Sequence, residues 1–474
     1  MPSPVSIALA LLASSLAAAT PAPAQSTTLR VEQTTDAGGE HLLELAPTWE
    51  GAWRDELNHD ALWIIVRASA GASGHRPLRI AESDARHDDA SAGPLEAVVS
   101  PDAVGVFLRF AAHARGTASG SLSLRLTPDS LAWLETLPDP QLTAHAVEMV
   151  YVPAGEFWIG DVSERSLGYS SFFRSDGQGR PAGRFRIDSE SPIDIGPGSL
   201  LYDPGKGGPA QYRGDARGPI PGPFPKGTEA FYVMKREPTQ GLYAEYLNEL
   251  SPEARRQRRP DVAPGYREGR GTITLNRRNR FEAARPELPL NFTTWDDGMG
   301  LLDWLGLRPM TELEFAKACR GSDDTPADDY PWGTASKDTL ERVRDDAGDL
   351  VEPDRSSAHP ADRVPLGASP YGIEDLGGSL WERCVTVGHP LGRAFTGTHG
   401  DGEVTPLGLA TNQDWPNGSD GGIGYRGGGH YFADHDYGER GFNPHSPVSW
   451  RPYASWKDGP PSVAYGQRGV RAAP

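Results

Sequence analysis

The residue types best suited to chemistry gather near the end of the chain. His430, Asp434, His435, Asp436 and, further on, His445 place imidazoles and carboxylates close together. Such ligands can hold zinc or iron. Their spacing is not that of a helical pair, and the surrounding segment is rich in glycine, where the same residues commonly solvate or cap turns. A Gly-x-Gly-x-x-Gly string, Gly422 to Gly427, precedes them. A dinucleotide site needs that string to open a helix, so that its amides face a pyrophosphate. No helical period follows, and that reading is rejected. Gly-x-Ser-x-Gly, the Walker phosphate loop and His-Glu-x-x-His are all absent. Cys319 and Cys384 are the two cysteines and allow one bridge at most.

Few regular elements are available to position these groups. The segment 26–140 reads as β, with strands expected at 28–32, 42–45, 62–66, 104–110 and 121–126. The last alternates Ser121, Leu122, Ser123, Leu124, Arg125, Leu126, the period of a half-buried strand. Short strands between turn-rich pieces suggest a β-sandwich-like domain, with Trp49, Trp53 and Trp63 seeding its core. A linker with two prolines is expected at 137–141. Three helices stand out beyond it. Residues 239–250 carry Leu242, Tyr243, Tyr246, Leu247 and Leu250 on one face. Residues 295–305 follow Thr294 as N-cap. The third opens on a capping box, Thr311 with Glu314, and closes on Arg320 and Gly321. The stretch 161–228 is rich in glycine, proline and charge, and so long a loop is functional or partly disordered.

Composition narrows the class of protein. Of 474 residues, 56 are Gly and 43 Pro, which excludes a coiled coil or helical array and points to short elements joined by turns. The formal net charge is -18; an acidic surface repels phosphate backbones and anionic lipid and suits hard cations held by carboxylates. A nucleic-acid partner is therefore not expected. The short basic run Arg255, Arg256, Arg258 and Arg259 reads as a solvated helix end. Residues 1–24 read as a signal peptide, with an apolar run at 7–19 and Ala22-Pro23-Ala24 before Gln25. No later stretch is a transmembrane segment. The expected location is secreted or periplasmic.

Six blocks, in order, resemble the formylglycine-generating enzymes, or sulfatase-modifying factors. They are Met149-Val150-Tyr151-Val152-Pro153-Ala154-Gly155-Glu156-Phe157; Phe231 through Thr239; Arg308-Pro309-Met310-Thr311-Glu312-Leu313-Glu314-Phe315; Tyr330-Pro331-Trp332-Gly333; Tyr371 through Glu382; and Arg426-Gly427-Gly428 with the closing Gly469-Val470-Arg471. The resemblance covers 148–474, with 161–228 as a loop insertion. It implies an α+β, C-type-lectin-like fold of low regular secondary structure, here preceded by the β-sandwich-like domain. It also implies copper-dependent oxidation of a sulfatase cysteine to formylglycine, through two cysteines that follow Arg-Gly-Gly. By count from Arg426 those positions are Phe432 and Tyr437, and no cysteine follows Cys384. Soft Cu(I) wants thiolates, so copper is not expected.

What the resemblance keeps is a structural calcium ion in the Tyr371–Glu382 block. Its implied ligands are Asp375, the carbonyls of Gly378 and Leu380, and Glu382; oxygen donors of this kind suit calcium. The two cysteines lie in blocks that flank the domain core, and an oxidising compartment leads to the expectation that they bridge, against two buried free thiols. The functional expectation is an exported binding or accessory protein with an unknown protein or glycan ligand. The alternative is an oxidoreductase of altered, metal-dependent chemistry, using His430, Asp434 and His435. Relatives of that kind carry their metal histidines on an added helical domain, which this sequence does not resemble. A third possibility is a ligand-displaying protein like the variable C-type-lectin receptors.

Overall fold

The computed structural model describes residues 26–35, 41–69, 75–88, 93–205, 212–321, 325–337, 343–344, 350–351, 366–431, 441–443, 446–457 and 459–474. Its centre is a nine-stranded sheet built on two long strands, Asp60–Ser69 and Gln141–Val152. They pair antiparallel over ten positions, from Gln141 opposite Ser69 to Val150 opposite Asp60. Gln141–Val152 has a second edge with two tenants. Ser26–Leu29 pairs with its middle, Ala144 to Val147, and Phe231–Met234 pairs with its end, Met149 to Val152. Gly469–Ala472 and Arg308–Pro309 extend the sheet beyond Phe231–Met234, while Val106–Phe110 and Leu95–Val99 extend it beyond Asp60–Ser69. The segment expected as a linker, 137–141, thus runs directly into a twelve-residue strand that belongs to both halves of the molecule.

All ten residues of Asp60–Ser69 are buried. The run Ala61-Leu62-Trp63-Ile64-Ile65-Val66 is continuously apolar, the pattern of a strand covered on both faces. Its period of two divides the molecule. Leu62, Ile64, Val66 and Ala68 face an N-terminal apolar cluster. Ala61, Trp63 and Ile65 face the large C-terminal cluster. A second, five-stranded sheet closes the N-terminal cluster from the other side, with Ala114–Leu126 flanked by His41–Leu45, Thr48–Arg54 and Ile80–His87.

The three expected tryptophan partners do not share a core. Trp49 packs in the N-terminal cluster, Trp63 in the C-terminal one, and Trp53 in a third, with Met310, Phe315 and Cys319. Strands at Thr48–Arg54, His75–Leu78, Ile80–His87 and Leu95–Val99 lie outside the expected set. Ile80–His87 shows why. Its sequence, Ile-Ala-Glu-Ser-Asp-Ala-Arg-His, is poor in β-branched and aromatic residues, and its place comes from seven paired positions along Ala114–Leu126.

Buried ion clusters stitch the halves together. Glu249, ending the helix Gln240–Glu249, accepts from Arg67 Nε at 2.8 Å, Trp304 Nε1 at 3.0 Å and Thr143 Oγ1 at 3.1 Å, and pairs with His145 Nε2 at 2.9 Å. Lys235 Nζ lies 3.4 Å from Asp60 Oδ2 and 3.3 Å from Glu148 Oε2. The three expected helices are present as Gln240–Glu249, Trp295–Trp304 and Glu312–Arg320. Thr294 and Thr311 each form a capping box, and Gly321 ends the last helix at φ 75°. The described part of 161–228 is well packed: Phe172, Ile187, Leu200, Tyr202, Ile220 and Phe224 anchor it in the C-terminal core.

Candidate functional site

Two sites follow from the blocks singled out in the sequence. The first surrounds Arg426. Strand Trp381–Val385 pairs antiparallel with Ile423–Gly427, setting Glu382 opposite Arg426 and Cys384 opposite Gly424. The glycine string proves to be a packing device. A Cβ on Gly424 would lie 2.0 Å from the Ala454 carbonyl oxygen. Gly427, at φ 88°, has the Leu376 carbonyl oxygen 2.6 Å from a Cβ position. Backbone must approach at both places, so no side chain fits.

Arg426 is held by Glu312, the first residue of the Glu312–Arg320 helix. The Glu312 carboxylate accepts from Arg426 Nη1 at 3.1 Å, from Arg451 Nε at 2.8 Å and Nη2 at 3.0 Å, and from Thr386 Oγ1 and the Val387 amide, both at 3.0 Å. Burial pushes this acid up. Arg451, followed by Arg426, overcomes that and holds it below its ordinary value. The Arg451 guanidinium stacks 3.9 Å from the Phe172 ring and 4.3 Å from the Tyr202 ring, so the 161–228 stretch is locked to the same carboxylate. Arg426 Nη2 donates to the Val448 carbonyl at 2.6 Å.

Cys319 and Cys384 pack in one apolar cluster beneath this site. Both are buried and unbridged, contrary to the expected disulfide. Each fills the role of a small hydrophobe, one on the inner face of a helix and the other within a strand. Burial raises both thiols well above their ordinary value. His430 is buried at the start of the final region. Phe432, Asp434, His435, Asp436, Tyr437 and His445 lie outside the described residues.

The second site is the turn from Asp375 to Glu382, every residue of which is buried. Asp375 adopts φ 64°, and Gly378 and Leu380 lie between the two acids. Glu382 Oε1 accepts from Arg468 Nε at 3.0 Å and Nη2 at 2.7 Å. Burial raises Glu382 against the pull of Arg468. Its Oε2, like Glu374 Oε1, is buried with no hydrogen-bond partner among the described residues. The Leu380 amide donates to Glu237 Oε1 at 3.2 Å. Among the described residues no three His, Cys, Asp or Glu side chains converge as a metal group. A hard cation here would need Glu382 Oε2, the Asp375 carboxylate and the Gly378 and Leu380 carbonyls together, oxygen donors of the kind calcium takes. Sequence reasoning missed Glu237 and Arg468, which come from the Phe231 block and the chain's last segment. Arg468 reaches Glu382, and Glu237 reaches the Leu380 amide and Arg468, through tertiary contacts alone.

Residues 204–473 match the family model of the sulfatase-modifying factor enzyme 1-like domain. The chain belongs to this family. Among curated relatives, hercynine oxygenase of Mycolicibacterium smegmatis is 32% identical over 130 residues, covering 27% of this chain and 28% of that protein. The inactive Cα-formylglycine-generating enzyme 2 of Mus musculus is 30% identical over 110 residues, covering 23% of this chain and 35% of that protein. The chain therefore spans about a third or less of the curated relatives it matches.

Proposed function

We propose that this member of the sulfatase-modifying factor family has kept the scaffold and lost the oxidase, and that it works as an exported binding or accessory protein. One observation carries the reading. Phe432 and Tyr437 stand where the cysteine pair would follow Arg426-Gly427-Gly428, and the two remaining cysteines are buried thiols in the core. Thiolate is the form that binds Cu(I), and neither a phenyl ring nor a high-pKa buried thiol supplies it. The residues present do not fit copper. Losing a site while the fold persists is ordinary for a scaffold of this kind, and the likeness to a relative described as inactive supports the reading. The ligand would be a protein or glycan, met outside the cytoplasm if residues 1–24 act as a signal. Calcium would serve structurally at Asp375 and Glu382.

The test is direct. Copper-loaded protein is incubated with a peptide containing Cys-x-Pro-x-Arg and followed by mass spectrometry. The expected result is an unchanged thiol; conversion to the aldehyde above a metal-free control ends the proposal. A second reading, an oxidoreductase of altered metal chemistry, draws on the likeness to hercynine oxygenases. Stoichiometric iron or zinc in purified protein would favour it.

A further inference from the structure

The arginine run at the end of one helix is part of something larger. Residues 251–285 hold ten arginines, no lysine and four acids, a net +6 within a chain of -18. Three elements carry them: the helix Pro252–Arg258, the loop through the short 3-10 turn Pro260–Val262, and the hairpin of Ile273–Leu275 with Phe281–Ala283. The structure joins these into one surface. Arg255 Nη2 donates to the Asn279 carbonyl at the hairpin tip, and the Arg255 and Arg259 guanidinium groups lie 5.2 and 5.6 Å from the Phe281 ring. The Ile273 amide donates to Tyr266 Oη at 3.0 Å, tying the loop to the hairpin. Asn248 pins the far strand through both amide atoms, at 2.9 Å to the Phe281 carbonyl and 2.8 Å from its amide. The tip itself is shaped by Asn276 Oδ1, which accepts from the Arg278 and Arg280 amides at 2.9 and 3.0 Å.

Some of these charges are already used. Arg258 pairs with Asp297 at 3.0 Å, Arg259 with Asp261 at 2.5 Å, Arg280 with Glu245 at 3.5 Å and Arg285 with Glu287 at 2.5 Å. Arg256, Arg267, Arg277 and Arg278 are exposed and make no ion pair among the described residues. The same elements expose two aliphatic side chains, Val262 at 68% and Leu275 at 39%. Unpaired guanidinium groups and exposed aliphatics on the same joined elements suit an interface that is anionic at its surface and apolar just beneath. A polynucleotide's phosphate backbone would leave both aliphatics in water.

We propose that this face docks the protein on an anionic lipid surface. The acidic remainder of the chain is repelled by the same surface and orients the face toward it. Each basic residue near such a surface contributes about 1 kcal/mol, so each Arg→Gln change should weaken partitioning about fivefold and a pair about 25-fold. Full-length protein is sedimented with vesicles of phosphatidylcholine alone and with about one-third phosphatidylglycerol, at low salt. Binding to the anionic vesicles only, released by about 0.5 M salt as the screening length shrinks, is expected. Arg277→Gln with Arg278→Gln should lower it about 25-fold, and Val262→Ser with Leu275→Ser should lower it further, all with unchanged melting since these side chains are exposed. Equal binding to both vesicle types, no binding to either, or indifference to the arginine pair overturns the proposal. So does binding of duplex DNA or heparin by a protein that ignores the vesicles, which would assign the face to a soluble polyanion.

Discussion

Glu312→Gln tests the lock that holds the Arg426 site. The change keeps the side chain's size and removes one charge. In the wild type one carboxylate faces two guanidinium groups, with Glu312, Arg426 and Arg451 at most 2% exposed. Neutralising it leaves two buried cations without a counter-charge, and the new amide hydrogens point at guanidinium donors. Breaking a buried pair from one side costs about 3–5 kcal/mol, whereas five ordinary hydrogen bonds with partial replacement would cost less. The assay is urea unfolding followed by tryptophan fluorescence, with 12 tryptophans as reporters. The midpoint should fall by the equivalent of about 3–5 kcal/mol at unchanged slope. Arg451→Met in the Glu312→Gln background should recover part of the loss, because it removes one of the stranded charges. A loss below about 1 kcal/mol, the worth of a single net hydrogen bond, would refute a charge-based lock. The 161–228 stretch should also loosen in hydrogen exchange, since Arg451 clamps it through Phe172 and Tyr202.

Glu249→Ala removes the carboxylate shared by Arg67, His145 and Trp304; a loss of about 3–5 kcal/mol by urea unfolding is expected, and a loss under 1 kcal/mol would show that the sheet alone joins the halves. Asp303 is fully buried, accepting from the Asp401 amide at 3.0 Å and the Thr411 amide at 2.7 Å, and burial raises it from 3.8 to about 6. The folded chain then holds the extra proton, so Asp303 makes stability fall as pH rises from its unfolded value to about 6; the wild-type minus Asp303→Asn difference should trace that slope, and a flat difference rejects it. Protein stripped of calcium should melt lower than protein at a hundred times the dissociation constant, where binding contributes about 2.7 kcal/mol; Glu382→Gln should erase the difference, and identical melting of stripped and loaded wild type removes the site. Denatured, unreduced protein should show two reactive thiols and native protein none; a single missing pair on denaturation would restore the disulfide.

Local signals by themselves determined three of the helices and the family, but not the helix Pro128–Glu135. Thr294 and Thr311 cap where they do because a side-chain oxygen satisfies amides three residues away, an interaction written within four residues of sequence. The ordered blocks from Met149 to Arg471 were equally legible, because each is a contiguous string, and so was the absence of any cysteine after Arg426. The alternation along Ser121 to Leu126 announced its strand, yet the polar Ile80–His87 beside it carried no such mark. Only the tertiary structure decided what spans the chain. Gln141–Val152 became the shared strand of both halves because one edge pairs with Asp60–Ser69 while the other pairs with segments as distant as Ser26–Leu29 and Phe231–Met234. Glu312 gained Arg426 and Arg451, Glu382 gained Arg468, and a hairpin tip gathered scattered arginines onto one face. Such contacts depend on which backbones are brought together, and pairing energy between remote segments leaves no periodic trace in either one.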